Sequence, residues 1–407
     1  MTSGFGLILL ATAIAGIASY FVGVLVPHQI GLKLYASFAV FWSFMYFVVG
    51  TLGGVQQEIA RGTKPLDPAR NRHGRRALNF ALVLAGGVFV LIVGSAPIWA
   101  TLAFPSQGWG LVWPLAVGAT SYVFVATLSG SLYGISRWLP LALMIAVDAL
   151  LRLLALGVTL VFTHEVVALA WAAAIPFPTT IVVLWAFIRR SIVGLTELDV
   201  SYRSLVWNVA RTSLAAAAMG VMVSGFPFFL KLTSPGEASA TIGLVVLAVT
   251  LTRAPLIVVA MSLQSYFIVT FRDNRDTFWS VFLRIQAAVL GGGVVLAALG
   301  WLIGPAVFAF LFPGPLQPSG LFIGALVLSS ALVASLCVSA PAVLAHSQHF
   351  VYSAGWVVGA VATVGALLLP GDFITRVVIA LFVGPVLGLL VHGIYLIRTN
   401  RRTTVRD

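Results

Sequence analysis

Charge is what this chain lacks most. Only 8% of its 407 residues are Asp, Glu, Lys or Arg, against roughly 25% in a soluble domain. So few charges cannot solvate a surface of ordinary size, which excludes a water-soluble globule. Cysteine is nearly absent: the one residue, Cys337, sits in an apolar run, so neither an intrachain disulfide nor a Cys-based metal site is available. Alternating segments of about ten residues, the mark of a transmembrane barrel, are missing. The start, Met1-Thr2-Ser3-Gly4, carries no basic region and is followed by no small-residue cleavage site, so the first apolar block reads as a retained helix.

What is present is apolar sequence, 60% of the chain, arranged in blocks longer than the ~20 residues that carry a helix across a bilayer. In lipid the backbone must satisfy its own polar groups, so these blocks are predicted to be helices. The expected fold is all-α and polytopic, with about twelve transmembrane helices in two six-helix lobes. The first six spans are Gly4 to Val26, Leu32 to Gly53, Ala77 to Phe104, Leu111 to Leu132, Trp138 to Phe162 and Val166 to Ile188. The second six are Leu205 to Leu230, Ala240 to Phe271, Phe278 to Ile303, Gly320 to Leu344, Val351 to Leu369 and Ile374 to Ile397. The domain division is therefore 1–188 for the first lobe, 189–204 for a cytoplasmic connector, 205–397 for the second lobe and 398–407 for a polar tail.

The basic residues orient the chain. With the N-terminus inside, sixteen of the 23 Lys and Arg fall in cytoplasmic segments, three (Lys33, Lys231 and Arg376) fall outside, and four lie within spans. That bias predicts both ends in the cytoplasm. The net charge of +12 is thus mainly a topology signal, and nucleic acid is not an expected partner because no soluble basic face exists to bind it. A repeat is also visible. Pro97 and Pro105 recur as Pro305 and Pro313, at an offset of 208, at the ends of the third and ninth spans. Six spans per half would make the halves parallel repeats.

Chemistry is confined to a few residues. The external loops are short and hold only Glu165, Glu237 and Asp372, one per loop, with no catalytic or phosphate-cradling motif. The chain is not expected to be an enzyme or to carry a metal or cofactor; His346 and His349 read as solvated turn residues. Ionisable groups inside spans cost roughly 2.5–3.5 kcal/mol on insertion scales and are functional candidates by default. Asp148 and Arg152 share one face of the fifth span and should pair. Arg253, beside a helix-distorting Pro255, has no acid within a turn and needs a partner from elsewhere. Arg211 and Arg284 lie two turns inside cytoplasmic span ends, where snorkelling competes with a cavity role. Gln57 and Gln264 could bond a sugar or another helix, as could Gln56. The basic segment Arg61 to Arg76 suits anionic lipid. Four interior cations against one anion suit an anionic ligand, and Arg binds a diphosphate by forked hydrogen bonding.

The pattern resembles a known family. Gly31-Leu32-Lys33-Leu34-Tyr35, then Phe38, is similar to its Gly-x-x-x-Tyr turn, and Leu52-Gly53-Gly54, then Arg61, to its Leu-Gly followed by a basic residue. Leu132-Tyr133-Gly134-Ile135-Ser136-Arg137 is similar to the turn between its fourth and fifth helices, and Leu311-Phe312-Pro313 stands where Leu-Phe-Gly is frequent. The chain thereby resembles the polysaccharide-biosynthesis branch of the multidrug/oligosaccharidyl-lipid/polysaccharide exporters. The resemblance implies a MATE-like fold in an inner or plasma membrane and alternating access for a polyprenyl-diphosphate-linked oligosaccharide. It makes membrane lipid and glycan-synthesis enzymes the expected partners. Arg152 and Arg253 would then contact the diphosphate. The competing expectations are a cation-coupled drug exporter, which would use Asp148, a glycan polymerase or glycosyltransferase, and a non-transporting scaffold.

Overall fold

A 61-residue helix would be about 90 Å long, three times the hydrocarbon core it has to cross. The first helical stretch, α1 (Thr2–Gly62), is that long and is therefore broken. Gly31 adopts φ 72°, ψ 164°, a conformation that glycine alone takes readily. In the computed structural model, which describes residues 2–65, 77–192, 196–273 and 277–403, the break occupies that one residue. The five-residue loop expected from Pro27 to Gly31 is therefore a kink, and Pro27 stays helical.

The remaining helices are α2 (Ala77–Ala103), α3 (Trp109–Gly134), α4 (Trp138–Phe162), α5 (Val166–Ala174), α6 (Pro176–Ile192), α7 (Tyr202–Val223), α8 (Phe226–Thr233), α9 (Ser239–Ser262), α10 (Gln264–Asp273), α11 (Phe278–Leu311), α12 (Gly320–Ala345), α13 (His349–Leu367) and α14 (Phe373–Thr403). Among the described residues, eleven stretches are long and apolar enough to cross a membrane. With α1 counted as two helices, the expected twelve spans are present. The chain is thus an all-α, multi-pass membrane protein. Three predicted spans are interrupted: at Ile175 between α5 and α6, at Ser224–Gly225 between α7 and α8, and at Leu263 between α9 and α10. Pro255 leaves α9 helical, and the interruption comes eight residues later.

The chain forms two compact units, Met1–Gly220 and Val221–Asp407. In the first, α3 packs against α1 and α2, and α1 against α4. Close approach is possible because Gly130 and Gly134 on α3 lie against the backbone oxygens of Gln56 and Ala60 on α1; a Cβ at Gly130 would stand 2.6 Å from the former. In the second, α12 packs against α9, α11 and α14, and α13 against α14. Both α3 and α12 are largely buried, yet carry hydroxyls. Thr127, Ser131, Ser329 and Ser330 donate to carbonyls three or four residues back, which satisfies them without a partner helix.

The offset of 208 has a local structural counterpart. Phe104 and Phe312 end α2 and α11 with the same backbone bond, to Ala100 and Phe308, each 2.8 Å. The C-termini of α3 and α12 are also alike: Ser136 (φ 56°) and Ser347 (φ 60°) take the left-handed conformation, with Arg137 donating to Leu132 and Gln348 to Val343. These are Schellman caps built without glycine.

At the end of α1, a two-stranded antiparallel ribbon joins β1 (Thr63–Pro65) to β2 (Thr196–Leu198), with Lys64 opposite Glu197. Lys64 also pairs with Asp199. Arg70, Arg72, Arg75, Arg76, Arg275 and Arg406 lie outside the described residues. In the second unit, Asp372 caps α14 by accepting from the Thr375 amide and hydroxyl. Those bonds hold its carboxyl below the ordinary carboxylate range.

Candidate functional site

Helix interruptions leave backbone carbonyls without amide partners, and in a membrane those carbonyls must be met by side chains. Among the described residues, one arginine in each unit does this at an interruption inside a span. In the first unit, Pro176 has no amide hydrogen and α5 stops at Ala174. Arg152 on α4 donates from Nε to the Ala173 carbonyl at that end, 3.0 Å. Its two terminal nitrogens then grip Asp148 bidentately, at 2.8 and 2.9 Å, and Nη1 also donates to the Tyr46 hydroxyl. The guanidinium lies 4.3 Å from the Phe177 ring centroid. Arg152 is 5% exposed and its donors are nearly all engaged. The pairing expected from the i, i+4 spacing is present, and two aromatic residues complete it.

In the second unit the interruption after Val223 leaves the Met222 carbonyl at the end of α7. Arg253 on α9 donates to it from Nη2, but at 3.4 Å. Its guanidinium is 5.9 Å from the Phe226 ring centroid. Arg253 is 3% exposed, and neither Nε nor Nη1 has a hydrogen-bond partner among the described residues. The two arginines use the same device at a helix end, but only one has a carboxylate. A buried guanidinium left this poorly paired is costly, and an anion with several oxygens would satisfy it.

The other sequence candidates are dispersed. Arg211 on α7, Arg284 on α11 and Gln57 on α1 are exposed on their helices. Gln264 begins α10 and faces Cys337; its amide nitrogen is buried with no hydrogen-bond partner among the described residues. Gln56 is half-buried. His346, at the C-terminal cap of α12, and His349 are both exposed, and His346 also lies edge-on to Phe278. Arg152 and Asp148 belong to the first unit, and Arg253, Arg284 and Gln264 to the second.

Sequence reasoning missed Glu58. It is 5% exposed and accepts from Arg61 at 3.0 Å and from the Thr212 hydroxyl of α7 at 2.6 Å. Close by, Gly54 permits contact with α7, since a Cβ there would meet Ser213 at 2.5 Å. The only available signal was the i, i+3 pairing of Glu58 with Arg61. Tyr46 and Phe177, which frame Arg152, gave no signal, because aromatic residues are ordinary within spans.

No protein-family model matches the chain. Two proteins of Mycobacterium tuberculosis (strain ATCC 25618 / H37Rv) are similar over nearly the full length. Uncharacterized protein Rv3630 is 30% identical over 393 residues, 96% of this chain and 91% of that protein. Uncharacterized protein Rv1510 is 32% identical over 385 residues, 94% and 89% of the two. Solved structures share the fold at low identity. An inward-facing multidrug resistance MATE family transporter of the MOP superfamily aligns with a TM-score of 0.66 and 15% identity, covering 98% of this chain and 96% of that one. The lipid II flippase MurJ, in an inward closed conformation, aligns at 0.69 and 12%, covering 96% and 87%. The fold is MATE-like.

Proposed function

Because this chain belongs to the same family as the M. tuberculosis proteins Rv3630 and Rv1510, a family with a MATE-like fold, we propose that it is a lipid-linked glycan flippase. Its substrate is a polyprenyl-diphosphate-linked oligosaccharide or a related anionic glycolipid, carried from the cytoplasmic to the outer leaflet by alternating access. The observation that carries this reading is Arg253, a buried cation with two nitrogens unmatched. A diphosphate offers charged acceptor oxygens that suit a guanidinium fork. Arg253 is the principal anion contact. Arg152, held by Asp148, joins only if the carboxylate lets go. Arg211, Arg284, Gln57 and Gln264 serve the head group or the sugar. Both ends lie in the cytoplasm and the membrane is the inner or plasma membrane. Glycan-synthesis enzymes are the protein partners, and the protein itself performs no catalysis.

The test is translocation of a fluorescent polyprenyl-diphosphate glycan in vesicles. Losing a charge-assisted hydrogen bond removes about 1.5–3 kcal/mol, so Arg253→Ala should slow transport roughly 10- to 100-fold, with Arg253→Lys intermediate. Wild-type rates in Arg253→Ala would remove the anion site. A cation-coupled drug exporter is the second reading. It is favoured by the Asp148 side chain, which remains 17% exposed despite its pairing, and by the multidrug transporter among the fold's relatives. Drug efflux abolished by Asp148→Asn and untouched by Arg253→Ala would select it.

A further inference from the structure

The helices α13 and α14 interlock through small residues. Gly355 and Gly359 on α13 face Gly384 and Gly388 on α14, each so close that a Cβ would strike the opposing backbone or side chain. One turn beyond Gly388 the next position on that face is His392, whose ring fills the notch left by Gly355; a Cβ at Gly355 would stand 2.1 Å from Nε2. His392 is fully buried. Its Nε2 faces the Tyr352 carbonyl at 3.3 Å, an acceptor only, so that nitrogen carries a hydrogen. Its Nδ1 lies 2.9 Å from the Ser339 hydroxyl of α12. That hydroxyl has a second acceptor in reach, the Leu336 carbonyl at 3.2 Å.

We infer that His392 is a proton-binding site of the second unit, with Ser339 as its relay. The arrangement satisfies the ring in both charge states without moving a heavy atom. In the neutral ring, the Ser339 hydroxyl donates a hydrogen bond to Nδ1. On protonation, an incoming proton joins the Ser339 oxygen, that oxygen passes its original hydrogen to Nδ1, and the retained hydrogen turns to Leu336. One O–H bond forms, one breaks and one N–H bond forms, so the imidazolium then donates from both nitrogens. A hydroxyl held between a ring nitrogen and a carbonyl is what such a transfer needs; a ring that is merely structural needs only one of the two.

The proton comes from water on the side of the cavity of about 360 Å3 at the far end of these helices. Tyr395 and Thr399 line it one and two turns beyond His392 on the same face of α14, and His346 lines it two turns beyond Ser339 on α12. The titratable side chains that the packed elements bring to this seam are Tyr352 on α13, Cys337 on α12 and Tyr395 on α14. No carboxylate or cation is hydrogen-bonded to His392 among the described residues, so its charge would stand alone there.

The experiment is nitrogen NMR of the full chain, labelled at its six histidines, in lipid nanodiscs between about pH 5 and pH 8. One signal, absent in His392→Gln, should pass from the Nε2–H tautomer to the doubly protonated ring, and Ser339→Ala should displace its midpoint. If His392→Gln does not fold, Ser339→Ala, which keeps the ring, identifies the signal by the displacement. A ring that stays one neutral tautomer throughout overturns the inference, as does a titration that Ser339→Ala leaves unchanged.

Discussion

Two arginines of similar burial behave differently because of what stands one turn away. Arg152 has Asp148 four residues earlier on α4; Arg253 has Val249 at the equivalent position on α9, which offers no acceptor. Removing the carboxylate from the first pair leaves a buried, uncompensated charge. Asp148→Asn is therefore expected to lower stability by about 3–5 kcal/mol, whereas replacing both residues with apolar ones of similar volume should cost far less. Denaturant unfolding in detergent of the two single variants and the double variant measures this, and additive single losses would contradict the coupling. The pair itself was readable from i, i+4 spacing. Its frame was not: Tyr46 lies 106 residues from Arg152, and the Ala173 carbonyl is exposed to it only because α5 stops. Glu58 escaped for a related reason. An acid near a span end reads as solvated, and only the packing of α7 reveals that Thr212 covers it.

At the scale of elements, the membrane made the sequence unusually readable. The bounds of α4, Trp138 and Phe162, were legible to the residue, because Arg137 and the trio Thr163 to Glu165 are the polar breaks on either side. Interruptions inside apolar blocks were not legible. Hydropathy does not change at Ile175, where only Pro176 punctuates the run; Gly225-Phe226-Pro227 marks the second interruption, and Ser262, Gln264 and Ser265 flank the third without naming a helix end. Yet these interruptions supply the carbonyls that position Arg152 and Arg253. The α1–α3 contact gives a direct test of element packing. Gly130→Ala would press a methyl group against the Gln56 backbone oxygen and Ile59. Since backbone cannot step aside, a loss of roughly 1–3 kcal/mol is expected. The same change at Gly157, which has open space around it, should be neutral or slightly stabilising. Thermal melting of the two variants side by side checks the contrast.

For the whole molecule, the expectation of twelve spans rested on composition and matches the helices present. The division into units did not follow charge alone. The connector 189–204 is the most polar stretch between halves, but the first compact unit runs on to Gly220, since Leu205 and Val209 of α7 are buried with Leu52, Val55 and Ile59 of α1. Composition cannot report such a contact. Orientation is a prediction of the basic residues. A fluorescent protein fused after Asp407 should be bright, and alkaline phosphatase fused there should be inactive; the opposite pattern would place the C-terminus outside.

The ribbon between β1 and β2 has a consequence for synthesis. Its strands are 133 positions apart at Lys64 and Glu197, with the second to sixth helices between them. The first strand is made early and waits, its backbone hydrogen bonds unanswered, until four more spans and the connector have left the ribosome. Pairing therefore reports that the first half of the chain has been inserted in full. A chain truncated at Ile192 should hold its helices but leave Thr63 to Pro65 open to protease, whereas one extended through Val200 should be protected there. What looks like a three-residue ornament on an integral membrane protein would then mark the completion of its first half.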